Sequence, residues 1–251
     1  MTAKVTAVIL AGGKSSRFGS DKAFIKIEGA PLIRKQIKIL KKIFKKIIIV
    51  TNAPHKYRAN SSLRGSDSDR SNPKNVIASP SARNDTWIRN VKIVQDIIKN
   101  CGPLAGIYSG LMASDSFYNF VVACDMPFIK ASLIRYILRN KNSYDIIIPK
   151  IDKKTHPLFG VYSKNCIPVI EKALKENRLN VSAIFPKVRT GFISRKEIER
   201  LDKPLLSLKN INTRDDLAML KVMIPGANRN CAGVVSVHKE LKTCQNKNLE
   251  K

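Results

Sequence analysis

The chain lacks what a membrane, secreted or zinc-stapled protein would need. No apolar run approaches the ~20 residues of a membrane span. The N-terminus carries no signal-peptide pattern, because the apolar stretch 5–10 is short and runs into a charged loop. Both absences point to a cytoplasmic protein with no membrane partner. The five cysteines (101, 124, 166, 231, 244) are scattered and form no C-x-x-C pair. That excludes a disulfide or zinc framework and leaves reduced thiols. Acidic residues are scarce, 19 against 46 lysines and arginines, for a net charge of +27. Such a charge raises the question of nucleic acid. Aromatics, however, make up only 6% of the chain and form no ladder on which bases could stack. The lysines spread over helix outer faces and the tail, so the basicity reads as compositional background and argues against a nucleic-acid partner. No Ser/His/Asp or Cys/His set offers a protein nucleophile, and no internal repeat is visible.

Apolar material is not lacking. With 43% hydrophobic residues in 251, the chain can bury the core of one α/β domain. The run 5–10 reads as a buried parallel strand. A helix follows over 31–46, with Ile33, Ile37, Leu40 and Phe44 at helical spacing and Pro31 at its start. Residues 47–50 read as a second buried strand. Segment 58–90 differs: between Arg58 and Asp85 it holds seven serines, four asparagines and no aromatic, and reads as a flexible insertion. Order resumes near 91–98. A helix is expected over 104–113 after Pro103, a strand over 120–123, and a helix through Leu138 capped by Ser132. Strands over 144–148 and 157–162 and a helix over 164–175 follow. Thr213 to Asp216 resembles a capping box for a helix through Met223. After Pro225 the chain is polar and lysine-bearing. This gives a domain over 1–224 and a loosely ordered basic tail over 225–251. Strands alternating with helices imply an α/β fold, a three-layer, open, mostly parallel, Rossmann-like sheet. Ligands of such sheets sit beyond the C-terminal strand ends.

The loop leaving the first strand, 10–22, is the most informative segment. It holds Gly12, Gly13 and Gly19 with Lys14, Arg17 and Lys22 among them. Glycines let backbone amides approach an anion, and the cations add charge at the same point, which suits a phosphate group. It is not a P-loop, because Gly19 is followed by Ser20-Asp21-Lys22, and it does not fit the G-x-G-x-x-G dinucleotide fingerprint. A basic, glycine-rich turn without a ligand is the plainer alternative. Asp125, just past the strand 120–123, is placed either to hold Mg²⁺ beside phosphates or to cap the next helix.

Together these segments resemble the MobA-type nucleotidyltransferases, and most closely the guanylyltransferases of molybdenum-cofactor synthesis. The resemblance is carried by Leu10-Ala-Gly-Gly with Ser16-Arg-Phe-Gly19 and Asp21-Lys22, by Gly102-Pro-Leu-Ala-Gly106, by Cys124-Asp-Met-Pro127, by the segment 156–162 and by the segment 210–217, in the family's order. Arg214 stands where the family has a proline. The resemblance implies transfer of GMP from GTP to molybdopterin with release of pyrophosphate, and Mg²⁺ as cofactor. Proteins of the same cofactor's synthesis, or the molybdoenzymes that receive it, would be partners. It implies that Leu10, Ala11, Gly12 and Gly13 line the nucleotide and that Asn52 and Asp96 contact it. Lys22 and Arg17 would meet the triphosphate, and Asp125 would hold the metal. His156 and Asn212 would lie on the acceptor side. On residue type alone four plainer readings stand beside these. Asn52 would end a strand, Asp96 would be a solvated helix residue, His156 a loop residue before proline, and Asn212 a turn residue. A related enzyme using CTP or another phosphorylated acceptor, and a non-catalytic polyanion-binding protein, are the alternatives in function.

Overall fold

The computed structural model describes residues 5–12, 22–27, 29–59, 88–98, 101–213 and 216. The chain divides into two units, Met1–Asn212 and Thr213–Lys251. In the first unit β1 (Val5–Leu10) precedes a 3-10 turn at Lys22–Phe24 and a small hairpin of β2 (Lys26–Ile27) and β3 (Ala30–Pro31). Then come α1 (Leu32–Leu40), β4 (Lys46–Thr51), α2 (Pro54–Ala59), β5 (Val91–Gln95), α3 (Gly102–Ala113) and β6 (Tyr118–Ala123). The unit continues with α4 (Ala131–Arg139), β7 (Ile146–Ile151), β8 (Lys154–Thr155), β9 (Phe159–Ser163), α5 (Cys166–Lys175), β10 (Thr190–Ser194) and α6 (Arg195–Glu199).

The main sheet runs β10-β7-β9-β6-β1-β4-β5, with β8 hairpinned onto β7. Every strand on the main path is parallel to β1 except β9, which is antiparallel to both β6 and β7. The period-2 geometry of a strand sends alternate side chains to opposite faces. Ala7 and Ile9 of β1 join the apolar layer that contains Ile33, Ile37 and Leu40 of α1 and Leu133, Ile134 and Ile137 of α4. Val8 and Leu10 face the other layer, with Leu104, Ile107 and Leu111 of α3 and Ile170 of α5. The expected three-layer, mostly parallel sheet is therefore what forms.

Helix α1 is shorter than its periodicity suggests. Past Leu40 the backbone tightens, with Lys42 N–H donating to Ile39 at 3.1 Å and Ile43 N–H to Leu40 at 2.9 Å, before β4 starts at Lys46. Phe44 still packs in the α1 layer. The expected Ser132 cap does not form: α4 opens at Ala131, its flanking Lys130 N–H donates to Ser207 Oγ at 3.0 Å, and Ser132 lies inside the first turn. Helix α3 lies close against β1 through glycines four residues apart. A Cβ on Gly106 would sit 3.3 Å from Leu10, and one on Gly110 only 2.4 Å from Val8. Since Gly106 meets Leu10 and Gly110 meets Val8, the helix runs antiparallel to β1. Its N-terminus, at Gly102 with φ +70°, reaches the edge where β1 ends.

Asp145, just before β7, ties the opposite edge together. Its Oδ1 accepts from Ser163 Oγ (3.1 Å) and Asn165 Nδ2 (2.8 Å), and its Oδ2 from Arg189 N (3.3 Å) and Nε (3.1 Å). Among the described residues no helix is long and apolar enough to cross a membrane. In the second unit Thr213 N–H donates to Asp216 Oδ2 (2.8 Å) and Asp216 N–H to Thr213 Oγ1 (3.0 Å), the reciprocal bonds of a capping box. The rest of that expected helix, most of the insertion and the tail lie outside the described residues.

Candidate functional site

Four neighbouring parallel strands, β5, β4, β1 and β6, end at one edge, and each end delivers a residue singled out from the sequence. The departing chains are pinned to one another. Ala11 N–H donates to Val50 O (2.8 Å), Cys124 N–H to Leu10 O (3.0 Å) and Asp96 N–H to Thr51 O (3.2 Å). Leu10, Ala11, Gly12, Asn52, Asp96 and Asp125 thus share one side of the sheet. Gly12 is exposed and lies beside Asn52: a Cβ built on it would meet Asn52 Nδ2 at 3.5 Å. Lys22 opens a short 3-10 turn leading into the buried Ala23. Gly13, Arg17 and the side chain of Lys22 lie outside the described residues.

Asp96 is not a solvated helix residue. It follows β5 directly and is only 8% exposed. Its Oδ1 accepts from Ser109 Oγ of α3 at 2.7 Å and from Ile98 N–H at 3.4 Å, while Ser109 Oγ also accepts from Ile97 N–H at 2.9 Å. The carboxylate is locked in place through one oxygen, and its other oxygen has no hydrogen bond among the described residues.

Asp125 does not cap α4, which begins six residues later with Lys130 flanking it. It stands at the corner of a tight turn, Ala123 to Met126, closed by a long Met126 N–H to Ala123 O bond of 3.4 Å. The segment after Leu208 runs alongside: Ile211 N–H donates to the Asp125 carbonyl (2.9 Å), and Asn210 Nδ2 approaches Oδ2 at 3.5 Å. From α1, the fully buried Gln36 donates its amide to Ala123 O (2.8 Å) and Met126 O (2.7 Å). Among the described residues no cluster of three or more His, Cys, Asp or Glu could enclose a metal. One carboxylate at such an edge would nonetheless suit Mg²⁺, which keeps several waters and takes one or two carboxylates together with substrate phosphates.

His156 and Asn212 are brought together, though they lie 56 positions apart. Both line a cavity of about 760 Å³ that opens beyond β7 and β9, with Lys154, Lys209, Asn210 and the ion pair of Arg195 with Asp152 (2.6 Å) around it. His156 is held by its backbone, its N–H donating to Pro149 O at 2.9 Å. Burial, and then the neighbouring Lys154 and Lys209, push its imidazole down to about 4, so it is neutral at pH 7. Asn210 faces both this cavity and Asp125, and it joins the two halves of the edge. Gln36, Ser109 and Asn210 join this edge without having been singled out as site residues by the motifs. Gln36 had a signal, being a polar residue among the apolar positions 33, 37 and 40. Asn210 had another, two residues before Asn212 in extended chain.

A family model described as the MobA-like NTP transferase domain matches residues 7–187. A probable molybdenum cofactor guanylyltransferase of Pelotomaculum thermopropionicum is 31% identical over 220 residues, covering 88% of this chain and 93% of the relative. The molybdenum cofactor guanylyltransferase of Desulfosudis oleivorans is 32% identical over 222 residues, covering 88% and 96%. Among solved structures, the molybdopterin-guanine dinucleotide biosynthesis protein A of Archaeoglobus fulgidus superposes with a TM-score of 0.68 at 22% identity, covering 87% of this chain and 98% of that one, a likeness of fold.

Proposed function

On the premise that this chain belongs to the MobA-like NTP transferase family and is a nucleotidyltransferase of molybdenum-cofactor biosynthesis, we propose that its donor is GTP and its acceptor molybdopterin. The observation that carries this reading is the shared edge: Gly12, Asn52 and Asp96 at one end, Asp125 in the middle, and beyond it a cavity with Lys154 and Lys209 in its lining, bridged by Asn210. In the reaction a phosphate oxygen of the acceptor forms a bond to the α-phosphorus of GTP. The α–β P–O bond breaks, and its electron pair leaves with pyrophosphate. No protein nucleophile is required, so the chain contributes position and charge.

In this reading Leu10, Ala11 and Gly12 lie against the nucleotide and Asn52 contacts it; Gly13, Arg17 and Lys22 are assigned by their motif, Gly13 to the nucleotide and Lys22 and Arg17 to the phosphates that leave. Asp96 supplies a carboxylate for the base. Guanine presents adjacent N1–H and N2–H donors, and Oδ2 of Asp96, left over by the Ser109 and Ile98 bonds to Oδ1, is an acceptor for them. Asp125 would hold Mg²⁺, which would offset the charge that builds on the transferring phosphate. On the acceptor side Lys154 and Lys209 suit a phosphorylated ligand, Arg195 being already paired with Asp152 and Glu199, and the neutral His156 offers a hydrogen bond without adding charge. The test compares pyrophosphate release from GTP, CTP and ATP with molybdopterin and Mg²⁺. Preference for GTP is expected. Preference for CTP overturns the assignment of the base, and tight RNA binding at physiological salt with no release from any triphosphate overturns the enzyme reading.

A further inference from the structure

Gln36 breaks the pattern of its helix. It sits on the apolar face of α1, between Ile33 and Ile37, and is 0% exposed. A leucine or methionine would fill the same space without burying an amide. The Gln36 side chain instead donates both of its amide protons, to Ala123 O at 2.8 Å and to Met126 O at 2.7 Å, partners 87 and 90 positions away. Its Oε1 is buried and accepts no hydrogen bond among the described residues. A buried acceptor without a partner costs about 1–3 kcal/mol, so packing alone does not favour this residue here. The orientation of the amide is fixed, because turning it over would set its oxygen against two carbonyls.

The two carbonyls bracket Cys124 and Asp125. They are the first and last of a turn whose own closing bond is long, at 3.4 Å. A turn closed so loosely does not by itself hold the residue at its corner. The Gln36 amide spans the turn from below and fixes the distance between its two ends. The corner residue on that span is Asp125, whose carbonyl is held from the other side by Ile211 N–H at 2.9 Å.

We propose that Gln36 is a positioning residue: its amide staples the 123–126 turn and thereby sets the direction in which Asp125 presents its carboxylate. The inference rests on the reading of Asp125 as the metal-holding carboxylate. It predicts that loss of the staple weakens metal binding more than it weakens the fold.

Full-length wild-type, Gln36→Met, Gln36→Glu and Asp125→Ala proteins are titrated with Mn²⁺ in the presence of GTP, and bound metal is read from the free Mn²⁺ signal, alongside thermal unfolding and turnover. Methionine keeps the length of glutamine and removes both donors. Gln36→Met is expected to stay folded and to lose about tenfold in Mn²⁺ affinity, as supporting hydrogen bonds to metal ligands do when removed. Its kcat is expected to fall further than its KM for GTP rises. Gln36→Glu separates positioning from packing within one protein. A protonated glutamic acid donates to one carbonyl, whereas an ionised one repels both, so its Mn²⁺ affinity falls relative to wild type as the pH is raised from about 6 to about 8. Gln36→Glu also decides the matter if Gln36→Met does not fold. Wild-type Mn²⁺ affinity in Gln36→Met, or a wild-type pH profile in Gln36→Glu, overturns the proposal while a weakened Asp125→Ala leaves the metal reading standing. Unchanged binding by Asp125→Ala overturns the metal reading and this inference with it.

Discussion

Asp96 and Asp145 are buried to the same degree, at 8% and 7% exposure, on opposite edges of one sheet. Their surroundings differ in kind. Asp145 takes hydrogen bonds on both oxygens, from Ser163, Asn165 and Arg189. Burial alone would raise its pKa, but the bonds from Arg189, Asn165 and Ser163 outweigh that and hold it at about 2. Asp96 is gripped through one oxygen only, by Ser109 and a backbone amide. Burial therefore does not distinguish a carboxylate with both oxygens engaged from one with an oxygen left over. The count of donors around it does.

The largest effect that would break this comparison concerns a third carboxylate, Asp125, on the same edge as Asp96. Asp125→Ala, and with it Lys22→Ala, should lower transfer by about a thousandfold or more while the unfolding curve stays near wild type. Near-normal Mg²⁺-dependent turnover in either variant would remove that residue from the chemistry. Next comes Asp145→Ala, which leaves the donors of Ser163, Asn165 and Arg189 without their acceptor. A loss of about 2–4 kcal/mol in urea unfolding is expected, with turnover per folded molecule unchanged. Asp96→Asn should show the reverse profile. Its stability should shift by under about 1 kcal/mol, but its preference for GTP over ATP should fall by about tenfold or more. An Asp96→Asn protein that keeps its selectivity would put Asp96 in the same class as Asp145.

The smallest effect is a pH dependence. The folded Asp145 titrates at about 2, below the 3.8 ordinary for an aspartate. Because the folded value is depressed, its stabilisation is complete above about pH 4 and is lost as the pH falls toward 2. The shift corresponds to roughly 2.5 kcal/mol. The Arg189 side chain is 67% exposed, so solvent screening reduces this to about 1–2 kcal/mol. Between pH 5 and pH 2 the urea midpoint should fall more steeply in wild type than in Asp145→Asn, and parallel curves would remove Asp145 from the acid sensitivity.

Much of this architecture is legible in the amino acids. β1, β4, β6 and the apolar side of α1 follow from short apolar runs and helical spacing, and the rule that ligands gather at C-terminal strand ends places Asn52 and Asp125 on one edge. The stretch between α5 and Asn212 is not legible in the same way. In β10 only Gly191 and Ile193 are buried, and Phe192 points outward, so no alternating apolar pattern announces a strand. Gly191 is there because the Tyr144 ring lies 2.8 Å from where a Cβ would be, a contact between distant parts of the chain. Gln36 and Ser109 escape for the same reason, since their partners are set by the folded topology. The placement of Gly13, Arg17 and the Lys22 side chain rests on the motif they belong to.

The close seat of α3 on β1 has a consequence for how this enzyme could drift. Ser109, which grips Asp96, lies between Gly106 and Gly110, the two residues that let the helix sit flush. A methyl group added at Gly110 acts as a shim. It lifts the helix from the strand, and Ser109 is displaced with it. With Asp96 reading the base as proposed, substitutions selected or screened as heat-sensitive along this helix should come back as enzymes with loosened taste in nucleotides.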